Sequence, residues 1–172
     1  SGFSTARNGS GDLGITVDHA TTDLVHSGGG ILTAGVWTAI AVTWDGSTTA
    51  TNAHVYKNLV EISYVTTTNG VGARADDSAN SFTIGNISPD AERTWDGKIA
   101  YTQVFNRVLT LAEISQATKF PGSITNGLVL YCPLNTTSAL DLSGTGNECT
   151  HSNTATSTTG PAVFLELPVQ AS

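Results

Sequence analysis

Leu13, Ile15 and Val17 alternate with small or polar residues. That period of two puts one side of a strand on a core. Short alternations of this kind recur along the chain between turn signals. Val36 to Trp44 is a longer apolar run, closed by Asp45-Gly46, a strong turn dipeptide. Ala53 to Tyr56, Val60 to Val65, Ser81 to Ile84 before Gly85-Asn86, and Lys98 to Phe105 follow. The spacing predicts an all-β sandwich or jelly roll. One segment departs from it. Thr110-Leu111-Ala112-Glu113 is a capping box, and Leu111, Ile114 and Ala117 recur at helical spacing. A short helix is expected from Leu111 to Thr118, ended by Pro121-Gly122. Beyond it come one clear strand, Leu128 to Tyr131, a Gly/Ser/Thr/Asn-rich stretch, and a last apolar run from Ala162 to Leu167.

Composition narrows the function more than the fold. Seven Lys+Arg against 14 Asp+Glu give a net charge of −7, so no basic stripe is expected and nucleic acid is not a partner. Only 12% of residues are charged, which leaves solvation to Thr, Ser, Asn and Gly. No apolar run approaches the roughly 20 residues that span a bilayer, so no membrane insertion is expected. No signal-peptide pattern opens the chain, Ser1 is no initiator, and Met is absent. A processed product or a piece of something longer is the expectation. Asn8-Gly9-Ser10, Asn86-Ile87-Ser88 and Asn135-Thr136-Thr137 match the glycosylation triplet, which carries meaning only in a secreted eukaryotic protein.

Catalytic patterns are missing. A glycanase needs two carboxylates flanking the scissile bond, but Glu61 stands alone on its strand and Glu92 lies in a Pro-Asp loop. His19, His26, His54 and His151 show no metal spacing. No Gly-x-Ser-x-Gly elbow is present, and no Lys follows Gly144-Thr145-Gly146. Calcium is the one cofactor that acidic turns would suit, at Asp76 and Asp77 with Asn80, or at Asp18 with Asp23. Neither spacing is specific, and plain acidic turns fit both clusters better. The remaining route to a ligand is an aromatic ring stacked on a sugar. Trp44, Tyr64, Trp95 and Tyr101 are the candidates, and each tryptophan also fits a packing role. Cys132 and Cys149 leave open a single disulfide or two thiols; they flank one turn-rich excursion and are expected to be close.

Three stretches in order carry a family resemblance. Trp37 to Ser47 followed by His54-Val55-Tyr56-Lys57-Asn58 resembles a tryptophan-led "AVT-aromatic-DG" hairpin. Ser81-Phe82-Thr83-Ile84-Gly85-Asn86 is similar to an "LTIG" strand. Trp95-Asp96-Gly97-Lys98-Ile99, through Val104-Phe105-Asn106-Arg107-Val108-Leu109-Thr110 to Glu113-Ile114, is similar to an "IDEVRIYNRALS-xxEI" ending. Together they resemble the laminin-G-like family of the concanavalin A-like lectin-glucanase superfamily. Two positions depart from it. Ala100-Tyr101 replaces an Asp-Glu pair, removing acidic groups from any ion or ligand site, and Leu59 replaces a turn glycine. Gly127 to Leu134 with Leu140-Asp141-Leu142-Ser143-Gly144-Thr145-Gly146-Asn147 resembles a "GLVxYxPL…DLSGxGN" segment, which closes the chain in some laminin-G-like proteins of phages and environmental bacteria.

The resemblance implies a concanavalin A-like jelly-roll sandwich of two antiparallel sheets, with one short helix near 110–118. It implies a single domain over 1–172, lacking about two upstream strands, with 123–172 packing on the same sandwich. It further implies a non-catalytic structural or decoration module on a virion or cell surface, at the virion surface or otherwise extracellular. The partners would be protein subunits in an oligomeric assembly. A lectin-like adhesion module that binds surface glycans is the alternative. Fold alone does not choose between them.

Overall fold

The computed structural model describes residues 3–7 (backbone only), 13–29, 32–79, 81–85, 95, 97–134, 140–147 and 149–150. They fall into two compact units, Ser1–Phe82 and Thr83–Ser172. The chain is built mainly of strands in antiparallel sheets, with a single short α-helix among the described residues.

The first unit holds seven strands: β1 (Phe3–Arg7), β2 (Leu13–Val17), β3 (Leu24–Gly28), β4 (Ile40–Trp44), β5 (Ala53–Lys57), β6 (Val60–Glu61) and β7 (Tyr64–Thr68). One sheet has the order β1-β2-β3-β7 and the other β4-β5-β6. Alternation decides which face each sheet buries. On β2, Leu13, Ile15 and Val17 are buried; register sets them opposite Gly28, His26 and Leu24. On β5, Ala53 and Val55 are fully buried and pair with Trp44 and Val42 of β4. Ile15, Val17, Leu24, Ala50 and Ala53 form the core, with Val42 and Trp44 packed against it. Each fully buried aliphatic side chain of this size contributes about 1.5–3 kcal/mol. The opposite face of β4-β5-β6 carries Thr43 beside His54, and Ala41, Tyr56 and Glu61 in one row.

The second unit holds β8 (Thr102–Phe105), α1 (Leu111–Lys119) and β9 (Leu128–Cys132), with β8 and β9 paired antiparallel. The helix starts where the capping box predicts. The Thr110 hydroxyl accepts from the Glu113 N–H at 3.3 Å, and the Glu113 carboxylate accepts from the Thr110 N–H at 2.9 Å. Arg107 grips the same carboxylate with two N–H groups at 2.7 and 3.1 Å. The Arg107 guanidinium, and then the Thr110 N–H, hold the Glu113 carboxyl down at about 2. The arginine closes the strand-to-helix turn on the helix's own cap.

Several elements differ from expectation. The Val36–Trp44 run becomes a strand only at Ile40. Val60 to Val65 is two strands, because Ile62-Ser63 carries the chain from one sheet to the other. Ser81 to Ile84 forms no strand: Gly85, at φ 84°, turns the chain, and its carbonyl accepts from Trp95 N–H at 2.6 Å. The Lys98–Phe105 strand begins at Thr102, just after Tyr101 takes a positive φ of 56°. Phe3–Arg7 and Leu24–Gly28 are strands that the apolar pattern does not announce. On β3 the inward positions are Leu24, His26 and Gly28, and two of these are not apolar. The helix runs one residue past Thr118. In the second unit, Gln103 of β8 stands opposite Tyr131 of β9. Val163 and the whole 162–167 run lie outside the described residues.

Gly28 shows how tightly the first unit is closed. A Cβ at this position would overlap the Ser63 carbonyl oxygen and crowd Tyr64 Cα. The neighbour is backbone and cannot swing away. Gly28→Ala is expected to destabilise the first unit by about 1–3 kcal/mol, the range for overpacking. A lowered urea midpoint at unchanged slope measures it.

Candidate functional site

The polar side chains of the first unit converge where β6 ends. Tyr64 opens β7 and lays its ring on His26, with centroids 3.5 Å apart and planes at 22°. Its hydroxyl accepts from Val55 N–H at 2.7 Å and donates to Glu61 Oε1 at 2.9 Å. The same oxygen meets His54 Nδ1 at 2.7 Å. On the far side, His26 Nδ1 contacts the Thr67 hydroxyl at 3.1 Å. His26, His54, Glu61, Tyr64 and Thr67 thus form one connected cluster across four strands.

The electrostatics follow from burial and contact. Burial, more than its hydrogen bond to Glu61, pushes the Tyr64 hydroxyl well above the usual tyrosine range. The His54 bond, and then the Tyr64 hydroxyl, hold the Glu61 carboxyl below its ordinary value. Burial lowers His26, His54 lowers it further, and Glu61 opposes both. His26 Nδ1, His54 Nδ1, Glu61 Oε1 and the Tyr64 hydroxyl each serve a neighbour in this cluster. The Glu61–His54 pair could orient an imidazole toward a ligand, but no second carboxylate joins it in the contacts described.

The four aromatic candidates separate into two pairs. Trp44 packs against the core, and its indole N–H donates to the Ser47 carbonyl at 2.9 Å. Tyr64 is half-buried, with its ring stacked and its hydroxyl engaged. Both have packing and hydrogen-bond partners within the first unit. Trp95 and Tyr101 belong to the second. The Trp95 indole is 37% exposed and its Nε1 edge lies over Gly97. Tyr101 is half-buried at its positive φ, and its N–H donates to the Pro133 carbonyl at 2.9 Å. His26 was not among the candidates, although it is only 4% exposed and central to the cluster. The one signal for it is a polar residue at an inward strand position, legible only once β3 is known to be a strand.

The acidic turns are occupied by local bonds. Asp76 accepts from Ser78 N–H at 3.0 Å, and the Ser78 bonds hold it below the usual carboxylate range. Asp77 sits 3.8 Å from the Arg74 guanidinium, and Asp23 accepts from His19 N–H at 3.0 Å. Asn80 lies outside the described residues. Among the described residues no group of three His, Cys, Asp or Glu side chains converges to hold a metal ion.

A second polar network stands on the edge of β9. Asp141 accepts from the N–H groups of Tyr131 and Ser143, each at 2.9 Å, and of Asn147 at 3.1 Å. The Ser143 hydroxyl adds a bond at 2.7 Å. Thr145 and Asn147 side chains both donate to the Val129 carbonyl at 2.7 Å, and Leu142 N–H donates to the Tyr131 carbonyl at 2.8 Å. The loop thereby fills the edge that β8 leaves open. Cys132 and Cys149 are joined as a disulfide with Cα atoms 7.0 Å apart, closing the loop at its base.

The model of the concanavalin A-like lectin/glucanases superfamily matches residues 1–115, and the chain belongs to that family. Such a domain is a carbohydrate-binding or structural module, usually non-catalytic. No curated protein and no solved structure matches the chain.

The Asp141 loop makes a pH-dependent prediction. Burial raises the Asp141 carboxyl, but the N–H groups of Tyr131, Ser143 and Asn147 outweigh it and hold the group at about 2. An unfolded aspartate titrates near ~3.9. The stabilisation is therefore complete above roughly pH 4 and is lost as pH falls toward about 2. Asp141→Asn is expected to cost about 1–1.5 kcal/mol at neutral pH, the lower end for charged hydrogen bonds because the loop is near the surface. Amide exchange at Tyr131 measures it: protection should drop in the variant at pH 7, and the gap from the parent should close near pH 2.

Proposed function

We propose that the chain is a non-catalytic structural module that packs against other subunits of an extracellular or virion-surface assembly, further copies of itself included. One observation carries this reading. Register sets Ile40, Lys57 and Val60 side by side at one end of the three-stranded sheet. Ile40 is 42% exposed and Val60 69%. They have the same face parity as Val42 and Val55, which sit in the core. Val36 and Trp37, which lead into β4, are exposed as well. Exposed aliphatic side chains flanking a lysine in this way are costly in water and ordinary in a protein interface.

Further features support the reading. With 12% charged residues, the surface has few of the groups that are depleted at interface cores. The Cys132–Cys149 bridge suits an oxidising compartment. Glu61 is committed to His54 and Tyr64, which favours a framework role over that of a glycosidase carboxylate. Ile40 and Val60 offer sugar hydroxyls no partner, which favours protein over glycan here although Lys57 stands between them.

The glycan reading has one observation of its own. The exposed Trp95 indole could stack on a pyranose face. Sedimentation velocity and a glycan array distinguish the two. Packing predicts concentration-dependent association that Ile40→Glu with Val60→Glu abolishes, without loss of the folded far-ultraviolet signature. A chain that stays monomeric at every concentration, and binds glycans in a manner lost with Trp95→Ala, rejects packing and installs the lectin reading.

A further inference from the structure

We propose that the seam between the two sheets of the first unit is an acid-sensitive latch, with His26 as the group that releases it. This goes beyond the packing function and does not depend on it. His26 is 4% exposed and faces inward beside Ile15. Tyr64 covers its ring at 3.5 Å, and the Thr67 hydroxyl meets Nδ1. No carboxylate touches the imidazole in the contacts described. A proton added here would create a buried cation whose described hydrogen-bond partner is a neutral hydroxyl, an expensive arrangement.

The consequence is structural because of what Tyr64 does. Its hydroxyl satisfies the Val55 N–H where β6 has stopped. The ring on β7 thereby ties one sheet to the strand edge of the other. A charged imidazole is drawn out toward water against the ring's own attraction for a cation, and its departure from under the ring withdraws the hydroxyl from Val55 and Glu61 together.

The surrounding groups set the direction. On β2 the facing residues, Gly14 and Ile15, are apolar. On β7 they are Tyr64 and Thr67. On β6 Glu61 is the nearest acid, and it is bound to His54 and Tyr64. On β5 His54 opposes a charge on His26, Tyr56 adds none at neutral pH, and Lys57 stands at the Ile40–Val60 end of the sheet. Burial lowers the affinity of His26 for a proton, so the folded state binds fewer protons than the unfolded one. Stability is then full above the unfolded histidine value near ~6.5 and declines as pH falls below it. Glu61, held low by His54, acts in the same direction at more acid pH.

The test uses the full chain with Trp37→Phe and Trp95→Phe, so that Trp44 alone reports the first unit. Urea unfolding is compared at about pH 7.5 and about pH 5. If His26 stays neutral while folded, the folding constant falls by up to about 30-fold between them. His26→Phe keeps the ring stack and removes the proton site, and should erase most of that fall. An equal fall in the variant overturns the proposal. Should the variant not fold, carbon-13 labelled histidine decides the matter in the parent chain. His26 titrating below ~6.5, with loss of the native Val55 amide signal in step, supports the latch. Titration that leaves Val55 unchanged overturns it.

Discussion

The backbone N–H of Val55 needs a partner where β6 stops after two residues, and the hydroxyl of Tyr64 supplies it at 2.7 Å. Much of the first unit is arranged around that bond. β7 must start close enough to β5 for the ring to reach, which fixes Ser63 against the backbone of Gly28 and excludes a side chain there. The ring then needs a flat neighbour, and His26 is it. The hydroxyl needs an acceptor, and Glu61 is it, steadied by His54. A missing strand residue is thus replaced by a side-chain network. The network links the two sheets at their rim, while Ile15, Val17, Leu24 and Ala53 link them at the centre.

The second unit meets the same constraint by different means. β9 pairs with β8 on one side, and its other edge would offer the Tyr131 N–H and the Val129 and Tyr131 carbonyls to any passing strand. The Asp141–Asn147 loop takes all three. Gly144 and Gly146, at φ 81° and 79°, let the loop coil tightly enough to bring Ser143, Thr145 and Asn147 to one carboxylate. The Asp-Leu-Ser-Gly-x-Gly-Asn spacing is therefore an edge-covering device, with a disulfide at its base. The unpaired backbone, not a ligand, accounts for each of its polar residues.

What could be read from the sequence was what depends on neighbours along the chain. The capping box at Thr110–Glu113 is a four-residue signal, and the helix starts there. The strict alternation at Leu13–Val17 gives a strand and its buried face. Leu128 to Tyr131 was equally plain. What the sequence does not show is whatever a distant partner sets. Tyr64 and Trp44 stand out along the chain as rings, but their bonds to Val55, Glu61 and Ser47 do not. Tyr64 reaches His26 across 38 positions and Thr67 reaches it across 41, so nothing local marked β3 as a strand. The Val60–Val65 run looked continuous, since a crossing between sheets changes the partner and not the composition.

The same reasoning separates framework from function among what remains. Polar groups bonded within their own unit serve the fold, and His54, Glu61, Tyr64, Asp76 and Asp141 all make such bonds. Surface that the fold does not use is of a different kind: Ile40 and Val60 beside Lys57, and the Trp95 indole. Exposed aliphatic and aromatic side chains such as Ile40, Val60 and Trp95 are suited to recognise shape and apolar area more than charge. That fits the low charge content of the chain. The motif-like residues Asp141 to Asn147 owe their spacing in this fold to the edge of β9 that they close.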